Sequence, residues 1–218
     1  MFCAILFDLD NTLIDRQAAF RSYAADFCHR RLQLPPVEQE QALQQLLAAD
    51  DWGYRPRDEF CKWVSGRFPS VQLTPSEVWE DCCQHLPKFV EPDSQVQGML
   101  ARLADRFRLL AVTNGSGRNQ YEKLRRAQLS NYLQEAIVSS EVGYEKPHPA
   151  IFEHALAVAG CSADEALVVG DDPWADIDGA KQAGMKAYWV SLGRQYPAGP
   201  AQPDEVLASV LDLERWLV

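Results

Sequence analysis

The residues best suited to chemistry stand near the start of the chain, where the apolar run Cys3-Ala4-Ile5-Leu6-Phe7 leads into Asp8-Leu9-Asp10-Asn11-Thr12. Alternate side chains of an extended backbone share a side, so Asp8 and Asp10 are expected to project together from the end of a strand. Two acids so close repel and raise each other's pKa unless a cation lies between them. The pair implies either a shared proton or a hard divalent metal such as Mg2+. Taken alone, an Asp-x-Asp is better explained as a strand-end turn capped by its own carboxylates.

Three later stretches change the balance. Thr113-Asn114-Gly115-Ser116, Gly143-Tyr144-Glu145-Lys146-Pro147 and Gly170-Asp171-Asp172 each follow an apolar segment of strand length. If those strands are parallel, all four polar clusters share one sheet edge, the edge at which open α/β sheets bind ligands. The inventory suits phosphoryl chemistry. Asp8 could attack phosphorus in line, and Asp10 could protonate the leaving alkoxide and then take a proton from water. A Mg2+ held by Asp8, the main-chain carbonyl of Asp10 and Asp171 would cancel the repulsion between these acids and a phosphate. Thr113 and Asn114 can hydrogen-bond phosphoryl oxygens, and Lys146 offers a compact positive charge for the transition state. Each residue also has a plainer reading: Thr113 as a strand-end hydroxyl, Lys146 as a solvated charge, Asp171 and Asp176 as caps at a helix start. No histidine spacing suggests zinc, and His148 and His154 read as surface or packing residues.

The elements that must position these residues follow from periodicity. An unbroken apolar run such as 3–7 reads as a strand buried on both faces. From Asp15 to Pro92 the pattern is helical, with no strand signal. Helices are expected over Asp15–Leu32, Val37–Ala49 and Arg57–Phe68, and a fourth capped by Thr74 with Pro75 in its first turn and closed by Pro87. From Asp93 helix and strand alternate. Val96, Met99, Leu100, Leu103 and Phe107 form an amphipathic stripe. Strands are expected at Leu109–Thr113, Ala136–Ser139, Ala166–Val169 and Ala187–Ser191, with helices at Asn119–Gln128, Pro149–Ala159 and Trp174–Ala183 and a last helix from Pro203 to Leu217. The expectation is an α/β protein: a doubly wound parallel, Rossmann-like sheet of five strands over 1–14 and 93–218, with an inserted all-helical cap over 15–92.

The totals restrict the partners. The 218 residues carry a formal net charge of -10, which opposes approach to nucleic acid or an anionic membrane and leaves a small anionic metabolite possible only if the site supplies cations. No segment reaches the length needed to span a bilayer, and the apolar N-terminus is too short for a signal peptide. The six cysteines show no CxxC spacing, so reduced thiols in a cytoplasmic monomer or homodimer are expected.

Asp8-Leu9-Asp10-Asn11-Thr12, then Thr113, then Lys146-Pro147, then Gly170-Asp171-Asp172 with Asp176 resembles, in order and spacing, the four motifs of the haloacid dehalogenase-like hydrolase superfamily. The likeness covers most of the chain and includes the branch with a helical cap between the first two motifs. It implies a Mg2+-dependent phosphatase in which Asp8 is the nucleophile and Asp10 the acid/base. Thr113 and Lys146 would bind phosphate, and Asp171 the metal. Asp176 would orient the metal's waters or Lys146, while Asp172 falls on a variable position. Metal-free dehalogenases of the superfamily lack the second aspartate of the first motif, so Asp10 speaks against that activity. Sugar-phosphate mutases share every phosphate-handling residue, and a non-catalytic phosphate-binding module would be expected to have lost Asp8 or Asp10. Cap side chains, among them Arg16, Arg21, Trp52, Tyr54, Arg55 and Arg57, are candidates for choosing among nucleoside monophosphates, phosphoglycolate and sugar phosphates. The later Tyr188-Trp189-Val190 and Leu192-Gly193-Arg194 are similar to nucleotidase-like members.

Overall fold

A strand with no polar side chain must have both faces covered, and the computed structural model, which describes residues 2–217, places the first strand accordingly. The elements in chain order are β1 (Ala4–Phe7), α1 (Arg16–Phe27), α2 (Pro36–Asp50), α3 (Arg57–Arg67), α4 (Pro75–His85), α5 (Ser94–Ala104), β2 (Arg108–Thr113) and α6 (Gly117–Arg126). Then come β3 (Glu135–Val138), the single turn α7 (Ser139–Val142), α8 (Pro149–Ala159), β4 (Ala166–Gly170), α9 (Gly179–Gln182), β5 (Lys186–Val190) and β6 (Glu205–Leu207). The strands form one six-stranded sheet in the order β3-β2-β1-β4-β5-β6. Every pairing is parallel.

This is a doubly wound α/β sheet, and its strand order reverses between β1 and β4. Ala4, Leu6, Leu110, Val112, Ala166, Val168, Ala187 and Trp189 alternate along their strands onto one face, where they pack with Ile151, Phe152 and Ala155 of α8 and Ala180 of α9. The other alternate set, Ile5, Phe7, Leu109, Ala111, Leu167 and Val169, is equally buried, and α5 contacts β2. Each fully buried large side chain contributes roughly 1.5–3 kcal/mol, so the centre of the sheet is its most stable part. The loops at its carboxyl ends are thereby held on a rigid base.

One expectation fails at the C-terminal end. The helix anticipated over Pro203–Leu217 is replaced by β6 and a 3-10 stretch, Val210–Trp216. Asp204 explains the change: its main-chain N–H donates to Ala187 O at 2.8 Å, while its carboxylate accepts from Ala187 N at 2.9 Å and from Lys181 and Lys186, both at 2.7 Å. That anchor lays the next three residues along the free edge of β5, and the ladder overrides a helical pattern. All six cysteines are free thiols, and no helix among the described residues is long and apolar enough to cross a membrane.

The chain divides into two compact units, one ending at Ile14 and resuming at Pro92, the other Asp15–Glu91. Among its described residues, helices joined by short linkers, with no strand, make up the second unit. Thr74 caps α4 in a reciprocal box with Glu77, and Pro75 occupies the first turn. Its apolar centre includes Phe20, Tyr23, Phe27, Leu46, Phe60, Val64 and Leu86. Against this centre lies a buried carboxylate, Asp81, only 3% exposed. Arg30 donates to both its oxygens at 3.0 Å, Arg31 donates to Oδ1 at 2.8 and 3.1 Å, and Tyr23 Oη donates to Oδ2 at 3.3 Å. The π-helical turn Cys28–Leu32 that follows α1 lets two consecutive arginines reach one acid. Burial alone would raise the Asp81 pKa, but the hydrogen bonds and charges of Arg30 and Arg31 hold it below the ordinary carboxylate range.

A group whose folded pKa is depressed stabilises the fold above its unfolded value, and that contribution disappears as pH falls through the folded one. Asp81→Asn should therefore cost about 1–3 kcal/mol at neutral pH and should flatten the acid limb of the stability profile below the ordinary carboxylate range. Urea melts of wild type and variant between neutral and strongly acid pH measure both effects.

Candidate active site

The strand order brings the sequence clusters together because parallel strands present all their carboxyl ends on one edge. Asp8 follows β1, with its N–H donating to Val169 O of β4 at 2.9 Å. Asp171 follows β4 directly, so the two acids flank the point where the strand order reverses. Asp176 lies one turn further on, in the π-helical turn Pro173–Asp178 that leads into α9. One carboxylate oxygen from each of Asp8, Asp171 and Asp176 lies within 4.8 Å of the others, and all three residues are buried. A set of hard oxygen donors at that spacing fits a small divalent cation such as Mg2+.

Lys146 is the hub of this cluster. Its Nζ donates to Asp8 Oδ1 at 2.7 Å, to Asp176 Oδ1 at 2.6 Å and to Val112 O at 2.7 Å, which uses all three ammonium protons. Asn114, expected to face phosphoryl oxygens, instead spends both ends of its amide on the Lys146 main chain. Its Oδ1 accepts from Lys146 N at 2.7 Å, and its Nδ2 donates to Lys146 O at 2.9 Å. The expected phosphate ligand thus holds the lysine in place.

Burial pushes the Asp8 carboxyl up to about 7, against the pull of Lys146 and with help from Asp176 and Asp10. Asp176 is pushed up to about 6, again first by burial, with Lys146 opposing and Asp172 and Asp171 adding to the rise. Burial would lower Lys146, but the two carboxylates outweigh it and hold the ammonium above its ordinary value. Two acids share one ammonium here, so the second acid resists ionisation until more positive charge arrives.

Asp10 points elsewhere. Its carboxylate meets Lys123 Nζ at 2.8 and 2.6 Å and Gln120 Nε2 at 3.2 Å, both on α6. Its main chain shares the strand-end turn with Asp8, where Asn11 takes a φ of 60°. Asp171 is held by two side chains. Trp189 Nε1 donates to its carbonyl at 2.8 Å, and Arg194 Nη2 donates to that carbonyl at 3.0 Å and to Oδ2 at 3.1 Å. Asp172, left open by the sequence, caps the following turn by accepting from Trp174 N at 2.8 Å and Ala175 N at 3.0 Å. Asp176 Oδ2 accepts from Asp172 N at 3.0 Å, so with Lys146 on Oδ1 it is committed to bracing the loop. Thr113, 1% exposed, sits at the end of β2 with its Oγ1 accepting from Gln120.

Sequence reasoning missed Gln120, Lys123 and Arg194. The first two had one usable signal, a polar pair one helical turn apart on the inward face of α6, and Arg194 had only the likeness of Leu192-Gly193-Arg194 to nucleotidase-like members, which gave it no role in the site. Among the helical-unit candidates, Arg16 is spent in a two-pronged pair with Asp50 at 2.7 Å on each arm. Arg57 lies over the Trp79 ring with its Nε on Asp58. Arg21 and Tyr54 are exposed, and Trp52 and Arg55 are half-buried.

A parallel doubly wound sheet with buried acids and a lysine at its switch point places a charged site where open α/β sheets bind ligands. The chain belongs to the haloacid dehalogenase-like hydrolase family, whose model matches residues 5–190. It is 31% identical over 212 residues to the glyceraldehyde 3-phosphate phosphatase of Pyrococcus abyssi, covering 89% of this chain and 83% of that one. The enzyme of the same name from Methanopyrus kandleri is 30% identical, covering 100% of this chain and 96% of its own. The HAD-hydrolase YfnB of Bacillus subtilis, solved bound to magnesium, superimposes with a TM-score of 0.79 at 25% identity over 99% of this chain and 98% of that one. Family and relatives together make the chain a hydrolase of phosphoric monoesters.

Gly170 is required by this packing, since a Cβ there would lie 2.3 Å from Asp176 Cγ and Oδ2. Gly170→Ala should push Asp176 off Lys146 and cost about 1–3 kcal/mol in a thermal melt. Because Asp8 and Asp176 have raised folded pKa values, the folded state binds more protons than the unfolded one between the ordinary carboxylate range and about 7. Stability of the chelator-treated protein should fall as pH rises across that window. Asp8→Asn should weaken the dependence in urea melts at pH 5 and pH 8.

Proposed function

We propose that the protein is a Mg2+-dependent phosphomonoesterase that hydrolyses a small phosphorylated metabolite through a phospho-Asp8 intermediate. The observation that carries this reading is the buried cluster itself, in which Lys146 bridges Asp8 and Asp176 and a carboxylate oxygen of Asp171 lies within 4.8 Å of theirs at the sheet's switch point. Four carboxylates, Asp8, Asp10, Asp171 and Asp176, meet three cations, Lys146, Lys123 and Arg194. These cations are already paired with the carboxylates, so a divalent cation would supply the positive charge that a phosphate dianion needs beside them. Asp8 Oδ2, the Asp10 carbonyl and Asp171 would hold Mg2+, which when bound supplies Lewis-acid neutralisation of the phosphoryl charge.

Asp8 attacks phosphorus, and a carboxylate-to-phosphorus bond forms as the ester P–O bond breaks. Asp10 gives its proton to the departing alkoxide oxygen. In the second half, Asp10 takes a proton from water, whose oxygen attacks phosphorus and displaces Asp8 as a free carboxylate. Thr113 Oγ1 and Lys146 Nζ bind the phosphoryl oxygens, so Lys146 exchanges one of its present partners for substrate. The phosphatase names of the relatives support a small phosphorylated substrate.

The test is release of inorganic phosphate from a panel of nucleotide, sugar, glycolate and triose phosphates, with Mg2+ and with chelator. Activity is expected only with the metal. Asp8→Asn should abolish turnover while keeping the fold, and Lys146→Ala should lower kcat/KM by about 10²–10³-fold. Full activity in Asp8→Asn would remove the nucleophile assignment. Transfer of phosphate to a second hydroxyl without release would mark a mutase.

A further inference from the structure

The proposed machinery leaves unexplained why α6 buries two long polar side chains beside it. Gln120 and Lys123, one helical turn apart, are 1% and 3% exposed. An ammonium that deeply buried is costly without a partner. Lys123 has one: both oxygens of Asp10, at 2.8 and 2.6 Å. Gripped through both oxygens, the Asp10 carboxylate is confined to a single orientation.

Gln120 joins the same carboxylate to the neighbouring strand. Its Nε2 donates to Thr113 Oγ1 at 2.5 Å, and to Asp10 Oδ2 and Asn114 O at 3.2 Å each. A carboxylate and a carbonyl can only accept, so the group between them must be the amide NH2. Thr113 Oγ1 is therefore the acceptor in its bond with Gln120. Its hydroxyl proton has Asn114 O as a neighbouring acceptor only at a long 3.5 Å, so a phosphoryl oxygen at closer range can take it over. Replacing Gln120 by an apolar residue would remove that constraint without touching the hydroxyl itself.

We propose that Gln120 and Lys123 are positioning residues that act through Thr113 and Asp10: Gln120 aims the Thr113 hydroxyl proton at a phosphoryl oxygen, and Lys123 fixes the Asp10 carboxyl for proton transfer. The inference rests on the roles given above to Thr113 and Asp10. It makes α6 a support that sets phosphate binding and proton transfer from one helix face. A lysine that merely balanced charge in the core would affect all substrates alike. A lysine acting through Asp10 affects most the substrates whose leaving oxygen needs a proton.

The experiment compares wild type, Lys123→Met, Lys123→Arg and Gln120→Leu in Mg2+ on an alkyl phosphate and on 4-nitrophenyl phosphate, whose phenolate leaves without protonation. Lys123→Met should lower kcat on the alkyl ester on the order of 10²-fold and on the nitrophenyl ester by less than about 10-fold, with KM little changed and Lys123→Arg restoring most of the loss. Gln120→Leu should instead raise KM and the inhibition constant for orthophosphate by about 10-fold on both esters. Should Lys123→Met fail to fold, Lys123→Gln, a neutral donor, is expected to show the same contrast between leaving groups. Equal losses on both esters, or an unchanged KM in Gln120→Leu, would overturn the proposal while wild-type turnover upheld the phosphatase. A wild type that hydrolysed neither these esters nor the wider panel would bring down both.

Discussion

One ammonium shared by two buried carboxylates is the interaction on which the rest of the site depends. Lys146 bridges Asp8 and Asp176 and also reaches the Val112 carbonyl. It thereby ties together the loops that follow β1 and β4 and the end of β2. Removing either charge type would leave the other uncompensated in a dry region, the most expensive arrangement a protein interior can hold. Asn114 and Gly170 serve this arrangement from opposite sides, the first by fixing the lysine's main chain, the second by leaving room for Asp176. The site is therefore rigid before substrate arrives, which is what electrostatic stabilisation of a phosphoryl transition state requires.

The acids not served by Lys146 have cations of their own, and each comes from a different element. Lys123 of α6 meets Asp10, and Arg194 from the loop after β5 meets Asp171. These pairs offset part of the charge of the acid cluster from within the fold. They also mean that a divalent ion would enter in competition with an internal cation at Asp171. Arg194 has Val190 O, Ser191 O and the Trp189 ring as further partners, so it can yield the carboxylate oxygen while remaining anchored.

Much of this was legible in the sequence. Apolar runs of strand length ending in Asp8, Thr113 and Asp171 could be read directly, because a strand's end fixes where its next residue emerges. Lys146 could be read because it stood in order with the others. Orientation was not legible. Asp10 was expected to point with Asp8, but the strand ends at Phe7 and the turn at Asn11 sends the carboxylate to α6. The bond from Asn114 to the Lys146 main chain could not be read because that segment lies thirty-odd residues away, and long-range pairing has no local pattern. The three-residue β6 escaped for the same reason, since a strand that short is defined only by its neighbour's free edge.

The register of β1 has a consequence in time. Ala4 pairs with Arg108 on one side and Ala166 on the other, so this strand leaves the ribosome roughly a hundred residues before its first partner. At about 5–20 residues per second that is an interval of roughly 5–20 s, during which an apolar segment has no ladder to join. The helical unit, whose compact contacts lie within Asp15–Glu91, is synthesised entirely inside that interval. Inserting the helices between β1 and its neighbours thus delays the burial of the central strand until well after its synthesis, and leaves an apolar stretch of the nascent chain open to chaperones and to aggregation meanwhile.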